Sequence, residues 1–421
     1  MAPQSAAEEA QAVDLLSGPR ADRALLLVAR ALGLAPRADR APGLPEGTWA
    51  LMQLNHRPGA GVTGVFTVSL RTHPAGVPHH AGLEEHEALL CLSTAALPHD
   101  AEVVAFSWGE QRFSGWLWPD DPWLPGLREA AQPSASLIAD ARARVVPVAY
   151  RPTRRAVFRV ESDDDPRPLA FIKVLRPRRE ADLVRRHCLL ADAQVPVPRP
   201  LAATGHGAVA FPPLIGPTAA AALRAANAPR LEPEHLVALL DRFPEGVLAL
   251  PRHPSWTDRV VDYTRSAGTA LPTDIRRIDS LATAIADAAA DVSGDEDLVP
   301  THGDFHPGNV ILGPHPVDPA LGPITGLLDL DSVGPGRLSD DLSCFVAHTW
   351  LLTDDARPGE GFPPVVSRYV EAFGQVVDPT DLRIRIAGVL VSLIGVAGRR
   401  RGRTAARRRL ALAEAVYRSA L

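Results

Sequence analysis

From His302 to Leu312 the chain runs His-Gly-Asp-Phe-His-Pro-Gly-Asn-Val-Ile-Leu, and Ile324 to Asp331 follows as Ile-Thr-Gly-Leu-Leu-Asp-Leu-Asp. Val310 to Leu312 predicts a short buried strand and Gly326 to Leu330 a second. Gly313 to Pro323, rich in Gly and Pro, predicts the loop between them. If the two strands pair as a hairpin, Asn309 at the start of one lies beside Asp329 near the end of the other. An amide oxygen and a carboxylate so placed suit Mg²⁺, which takes a few protein oxygens together with phosphate and water. Asp304 precedes Asn309 by five positions. The loop between them can hold its carboxylate near such a metal, where it accepts a proton from an attacking hydroxyl. Asparagine is scarce, at Asn55, Asn227 and Asn309 only. Alone, an Asp and an Asn at this spacing read as turn and capping residues. The company of His302, Gly303, His306 and Asp329 points instead to a site.

A single lysine, Lys173, stands among 44 basic residues; the rest are arginine. Lysine is a compact point charge on a flexible stem and arginine a wide planar fork, so the two are not interchangeable against phosphate. The surrounding run, Leu169-Ala-Phe-Ile-Lys-Val-Leu175, predicts a buried strand with one charge. Such a charge is costly unless paired. Arg178 to Leu190 follows with apolar residues at helical spacing, and Glu180 and Asp182 are the candidate partners. The lone lysine lies in no G-x-x-x-x-G-K-[ST] run, which excludes a Walker A loop.

Composition bounds the rest. The chain has 421 residues, 46% hydrophobic and 22% charged, enough to build two or three cored domains. The formal charge of −5 argues against sequence-independent nucleic-acid binding. The apolar run Ile386 to Ala397, about a dozen residues, is too short to span a bilayer, so no membrane partner is expected. The N-terminus shows no basic region followed by an apolar core, and no secretory signal is read from it. Cys91, Cys188 and Cys344 lie far apart without a C-x-x-C, which predicts a reducing cytoplasm rather than a disulfide framework.

With these residues in view, H-G-D-F-H-P-G-N, L-L-D-L-D and Asp340-Asp-Leu-Ser343 resemble the aminoglycoside phosphotransferase and choline kinase family, over roughly residues 144 to 421. The resemblance implies a protein-kinase-like fold and ATP-dependent, Mg²⁺-dependent phosphoryl transfer to a hydroxyl of a small polar molecule. Asp304 then resembles the catalytic base, and Asn309 and Asp329 the Mg²⁺ ligands. Asp331 either assists the metal site or is structural. Asp341 resembles the residue that braces the catalytic loop. Lys173 looks like the strand lysine on the α- and β-phosphates, held by Glu180 or, close behind, Asp182. The turn in Val145 to Val160 lacks the glycines that protein kinases carry there. Thr153, Arg154 and Arg155 offer hydroxyl, backbone N–H or guanidinium to phosphate, or form a hairpin tip in solvent. A non-catalytic nucleotide-binding or scaffold protein is the competing class, and the intact Lys, Asp, Asn, Asp set argues against it. Protein-serine kinase activity is disfavoured, because His302-Gly-Asp replaces H-R-D and no A-P-E segment follows Asp329.

The expected fold class is therefore α+β. It is a bilobal protein-kinase-like fold, with a small β-rich N-lobe and a larger helical C-lobe, plus an additional N-terminal α+β cap domain. Residues 1–143 form the cap domain, of illegible role, with a link near 127–143. Residues 144–215 form the N-lobe and hinge, and 216–421 the helical C-lobe with the catalytic and metal loops. Within the cap, residues 1 to about 20 read as a frayed tail and Ala24 to Leu34 as a helix. Gly64 to Leu70, Ala88 to Leu92 and Ala101 to Phe106 read as strands, and Trp116 to Gly126 as a loop. His73, His79, His80 and His86 with Glu84, Glu85 and Glu87 match no closed zinc spacing and read more readily as a solvated loop. Arg399 to Arg403 and Arg407 to Arg409 read as a solvated helix face or, less readily, a contact for an anionic partner. Asp340, Asp354, Asp355 and Glu360 favour an amine-bearing acceptor or are simply solvated. The acceptor (sugar, amino sugar, aminoglycoside or amino alcohol) and the oligomeric state are not legible.

Overall fold

The computed structural model describes every residue except 1–4, 35–43, 45–47, 58, 73–83, 133–136, 139–142, 226–230, 293–297, 315–317 and 354–360. The chain divides into two compact units. One comprises Met1–Asp182 with Pro200–Pro212, the other Leu183–Arg199 with Pro213–Leu421.

The first unit holds two five-stranded sheets. It begins with α1 (Ala6–Ser17), opened by a capping box in which the Ser5 hydroxyl accepts the Glu8 N–H and the Glu8 carboxylate accepts the Ser5 N–H. The expected frayed tail is thus corrected. The box supplies the helix start, and Ala12, Leu15 and Leu16 are buried. Helix α2 (Ala21–Ala31) buries Ala21, Ala24, Leu25, Val28 and Ala29, one face of a helical repeat. Both helices share a core with an antiparallel sheet of β1 (Trp49–Arg57), β2 (Gly61–Thr72), β3 (Glu84–Ser93), β4 (Val104–Trp108) and β5 (Gln111–Leu117). The strand order is β1-β2-β3-β5-β4. The expected strands at 64–70 and 88–92 fall inside β2 and β3, whereas the one at 101–106 overlaps β4 only from Val104. Trp116 and Leu117, expected in a loop, end strand β5; Phe113 is buried on the face shared with the two helices and Trp116 on the opposite face, against Val65 and Cys91.

After α3 (Gly126–Ala131) comes the second sheet. It is built from β6 (Arg144–Arg151), β7 (Arg155–Glu161), β8 (Ala170–Leu175), β9 (Ala202–Ala203) and β10 (Ala208–Phe211), in the order β6-β7-β8-β10-β9. Helix α4 (Glu180–Asp192) leaves this sheet and continues into the second unit. Leu124, Leu127 and Ala130 pack with Phe158, Ile172, Val174 and Ala210 in one core.

The second unit is mainly helical: α5 (Ala219–Arg224), α6 (Pro233–Leu240), α7 (Val260–Ala270), α8 (Ile275–Val292), then after the hairpins α9 (Leu338–Trp350), α10 (Pro364–Phe373), α11 (Pro379–Ser392) and α12 (Ile394–Ala420). Two small antiparallel pairs sit among them. β11 (Val299–Thr301) pairs with β14 (Gly334–Gly336), and β12 (Val310–Leu312) with β13 (Ile324–Leu327). The apolar run at 386–397 is a buried core segment of α11 and the start of α12. No helix among the described residues is long and apolar enough to cross a membrane. Arg399 to Arg403 and Arg407 to Arg408 lie exposed on α12, with Arg407 reaching Asp274.

Candidate active site

The second unit carries the densest chemistry. β12 and β13 pair with Val310 opposite Leu327, and the Leu328 N–H donates to the Asn309 carbonyl at 2.8 Å. The expected hairpin is therefore present, although its second strand runs Ile324–Leu327 rather than Gly326 to Leu330, and it sets Asn309 across from the chain that turns into Asp329. Asp329 adopts φ 58°, ψ 59°, a left-handed conformation that Asp tolerates better than most residues. It ends the strand abruptly and starts a tight turn, Leu330–Ser332, in which Asp331 is half-buried.

The loop before β12 is tied at several points. The buried His302 ring donates from Nε2 to the Leu328 carbonyl at 2.9 Å and accepts the Asp304 N–H on Nδ1 at 3.3 Å. This assignment uses the neutral ring, and burial depresses the His302 pKa accordingly. His302 thereby links the Asp304 loop to the residue before Asp329. The Asn309 side chain donates from Nδ2 to the Asp304 carbonyl at 2.9 Å. Only the amide nitrogen can donate to a carbonyl, so the orientation of the amide is fixed. Its Oδ1 takes no hydrogen bond among the described residues. Gly303 has φ 77°, and a Cβ there would sit 2.6 Å from the Ser332 carbonyl oxygen, so glycine lets this loop lie against the Asp329 turn.

Asp341, at the first turn of α9, accepts the N–H groups of His302 at 2.6 Å and Gly303 at 2.8 Å. The bracing role implied by its motif is what the structure shows. Burial pushes its pKa up to about 7, against those two donors. Asp340, considered above as a lure for amines, pairs instead with the buried Arg385 at 2.7 Å, which also binds Asp381 at 2.8 Å. Burial likewise raises the Asp304 pKa. His306, His302 and a nearby indole, Trp256, oppose the shift, and Asp329 adds to it. Asp304 and Asp329 thus stand within electrostatic reach of each other, and Asp304, Asn309 and Asp329 share one neighbourhood.

The remaining candidates lie in the first unit. Lys173 is half-buried at the centre of β8, opposite Val157 on β7 and Val209 on β10. Glu180 begins α4, and its two oxygens accept the N–H groups of Gly205, at 2.7 Å, and Gly207. A carboxylate has about four lone-pair sites, so these bonds leave it room for a cation. Thr153 turns the β6–β7 connection with φ 64°. Its N–H donates to Asp121 at 2.7 Å and its carbonyl accepts from Arg176 Nε at 2.9 Å. That N–H is committed to Asp121. Arg155 opens β7, in register with Leu175.

Asp121 was not foreseen. Besides Thr153 it accepts the Tyr150 hydroxyl at 2.8 Å and the Trp123 N–H at 2.9 Å, and burial raises its pKa. Its only sequence signal was a place in an aromatic, proline-rich loop. Trp256 and Tyr263 were also missed. They lie on an aperiodic stretch and the start of α7, and only the fold brings them near Asp304. His73, His79, His80, Asp354, Asp355 and Glu360 lie outside the described residues, as do the side chains of Glu84, Glu85 and His86.

A model of the phosphotransferase enzyme family matches residues 134–381, more than half of the chain. The chain belongs to that family. As a phosphotransferase it is a small-molecule kinase, and ATP binding follows from the membership. Among solved structures it is similar to a choline/ethanolamine kinase family protein from Mesorhizobium loti, at 14% identity and TM-score 0.47, over 69% of this chain and 94% of that one. It is also similar to an aminoglycoside phosphotransferase from Streptomyces rimosus in complex with ADP and streptomycin, at 20% identity and TM-score 0.42, over 63% and 98%. Choline kinase from Cryptosporidium parvum Iowa II is similar at 12% identity and TM-score 0.43, over 70% and 93%. No curated protein matches the chain in sequence.

Proposed function

We propose that this phosphotransferase moves the γ-phosphoryl group of ATP to a hydroxyl of a small polar molecule, with Asp304 as base and Mg²⁺ on Asn309 and Asp329. The Asn309 amide carries the reading. Its nitrogen is spent on the Asp304 carbonyl and its oxygen is left for another partner, beside a turn that holds a carboxylate. The donor set suits Mg²⁺, which uses one or two carboxylates plus substrate phosphates rather than a closed cage.

When bound, Mg²⁺ supplies charge neutralisation on the phosphates. Asn309 and Asp329 hold it; Lys173, with Glu180 or Asp182 as its acid, orients the phosphates, with Thr153 and Arg155 at the turn beside them. Asp304 accepts the proton of the acceptor hydroxyl as its oxygen bonds to the γ-phosphorus and the bond to the bridging oxygen of ADP breaks. Positioning and electrostatics dominate such transfers, so few residues need be reactive. The plan that accompanies this reading has a cap domain at 1–143, an N-lobe at 144–215 and a helical C-lobe at 216–421, in bilobal arrangement. The acceptor is a sugar, amino sugar, aminoglycoside or amino alcohol. Three free cysteines fit a reducing cytoplasm.

The test is Asp304→Asn. Phosphoryl transfer should fall by about 10²- to 10⁴-fold, the usual worth of a general base, with ATP affinity nearly intact. Loss of ATP binding along with turnover would contradict the base role.

A further inference from the structure

Asp329 holds an uncommon conformation, a side-chain-bearing residue at φ 58° and ψ 59°. Such a residue costs free energy and persists only where its surroundings over-determine it. The turn it opens is gripped on both sides. Before it, His302 Nε2 donates to the Leu328 carbonyl at 2.9 Å. After it, the Val333 N–H closes the turn on the Leu330 carbonyl at 3.2 Å, and Arg186 Nε donates to the Val333 carbonyl at 2.9 Å. The chain from Leu328 to Val333 therefore runs between two carbonyls, one held by a buried imidazole and the other by a buried guanidinium.

Arg186 lies on the inner face of α4, where Leu183 and Leu190 are buried with it. Helical pattern alone would put an apolar side chain there. A guanidinium taken out of water is costly unless its donors find partners. Besides the Val333 carbonyl, its Nη2 reaches His253 Nε2 at 3.4 Å. The loop that carries His253 packs on the same stretch of chain, since a Cβ on Gly334 would lie 2.8 Å from the Pro251 carbonyl oxygen. The charge is thus buried where it pins the exit of the Asp329 turn. We propose that Arg186 is a positioning residue for the metal site. Through the Val333 carbonyl it holds the turn that aims the Asp329 carboxylate at Mg²⁺. The assignment rests on the Mg²⁺ reading of Asp329 above.

The experiment measures Mn²⁺ binding to the full chain in the presence of ADP, by the electron paramagnetic resonance of free Mn²⁺. ADP binding in EDTA is followed by calorimetry, and a urea melt checks that each variant folds. The wild type is compared with Arg186→Gln, Arg186→Lys and Asp329→Asn. Residues that orient a metal ligand from behind change metal affinity by about 10- to 100-fold. Arg186→Gln should therefore weaken Mn²⁺ binding about tenfold or more, with the metal-free ADP affinity unchanged. Arg186→Lys keeps the charge and a donor, so it is the milder variant for folding and should recover part of the loss. Mn²⁺ affinity that does not move in a folded variant, or that falls only in step with ADP affinity, overturns the assignment. If neither Arg186 variant folds, the residue serves the fold alone, which overturns it too. If the wild type binds no Mn²⁺ with ADP, or if Asp329→Asn leaves Mn²⁺ binding untouched, the metal reading of Asp329 itself fails and takes the Arg186 assignment with it.

Discussion

The side-chain amide of Asn309 holds the backbone carbonyl of Asp304 at 2.9 Å. One residue therefore fixes the Asp304 loop with its nitrogen and, in the proposed reading, offers its oxygen to Mg²⁺. Asn309→Asp removes the donor and sets a negative charge toward a carbonyl. The expected result is a 10- to 100-fold loss of turnover, together with a higher Mg²⁺ requirement. A Mg²⁺ titration of the rate checks it; an unchanged midpoint would remove Asn309 from the metal site.

Asp341 supports the same loop from α9. Asp341→Ala leaves the buried N–H of His302 and the half-buried N–H of Gly303 without an acceptor, at about 1–3 kcal/mol for the first and less for the second. Asp341→Asn keeps one oxygen and should cost roughly half as much. Urea melts of the two variants give the comparison, and equal losses would show that the two N–H bonds are not what Asp341 contributes.

His348 gives the stability a pH dependence. It stacks on His306 at 4.8 Å, and burial depresses its pKa to about 4 from the ordinary 6.5. A histidine with a depressed folded pKa stabilises the fold above the unfolded value, and that contribution is lost as pH falls through the folded one. Between pH 6.5 and about 4, His348 should withdraw up to about 3 kcal/mol. His348→Gln removes this slope, so the difference in unfolding free energy between wild type and variant should change across that window. A constant difference from pH 7 to 4 would show that His348 does not titrate as its burial requires.

The hairpin was legible because strand, loop and strand are written in successive apolar and Gly/Pro-rich runs, and its ends bring Asn309 and Asp329 together by local geometry alone. Helix α1 was not legible from apolar periodicity, since half of its residues are alanine and glutamate; only Ser5 and Glu8, a capping box, marked its start. Asp340 misled because its partner, Arg385, lies 45 residues away on another helix. Trp256 gave no signal for the same reason. A loop residue with no periodicity is placed by tertiary packing, which local pattern does not record.

Asp121 makes a claim about the β6–β7 turn. It fixes the N–H of Thr153, while Arg176, stacked over Trp123 at 4.1 Å, fixes the carbonyl. Asp121→Ala should destabilise the chain by about 2–4 kcal/mol, since three donors, one buried and two half-buried, lose their acceptor. In the folded fraction it should raise the KM for ATP at least threefold, about the worth of a weak hydrogen bond. A folded variant with normal ATP KM would remove the turn from the nucleotide site.

The most direct measurement is a crystal structure of the full chain with Mn²⁺ and a non-hydrolysable ATP analogue, with the metal located by its anomalous signal. The expected peak lies about 2.1 Å from Asn309 Oδ1 and from the Asp329 carboxylate, with Lys173 Nζ on the phosphates and Asp304 facing the γ-phosphoryl group. A metal bound away from Asn309 and Asp329, or a triphosphate out of reach of Lys173, would contradict the account.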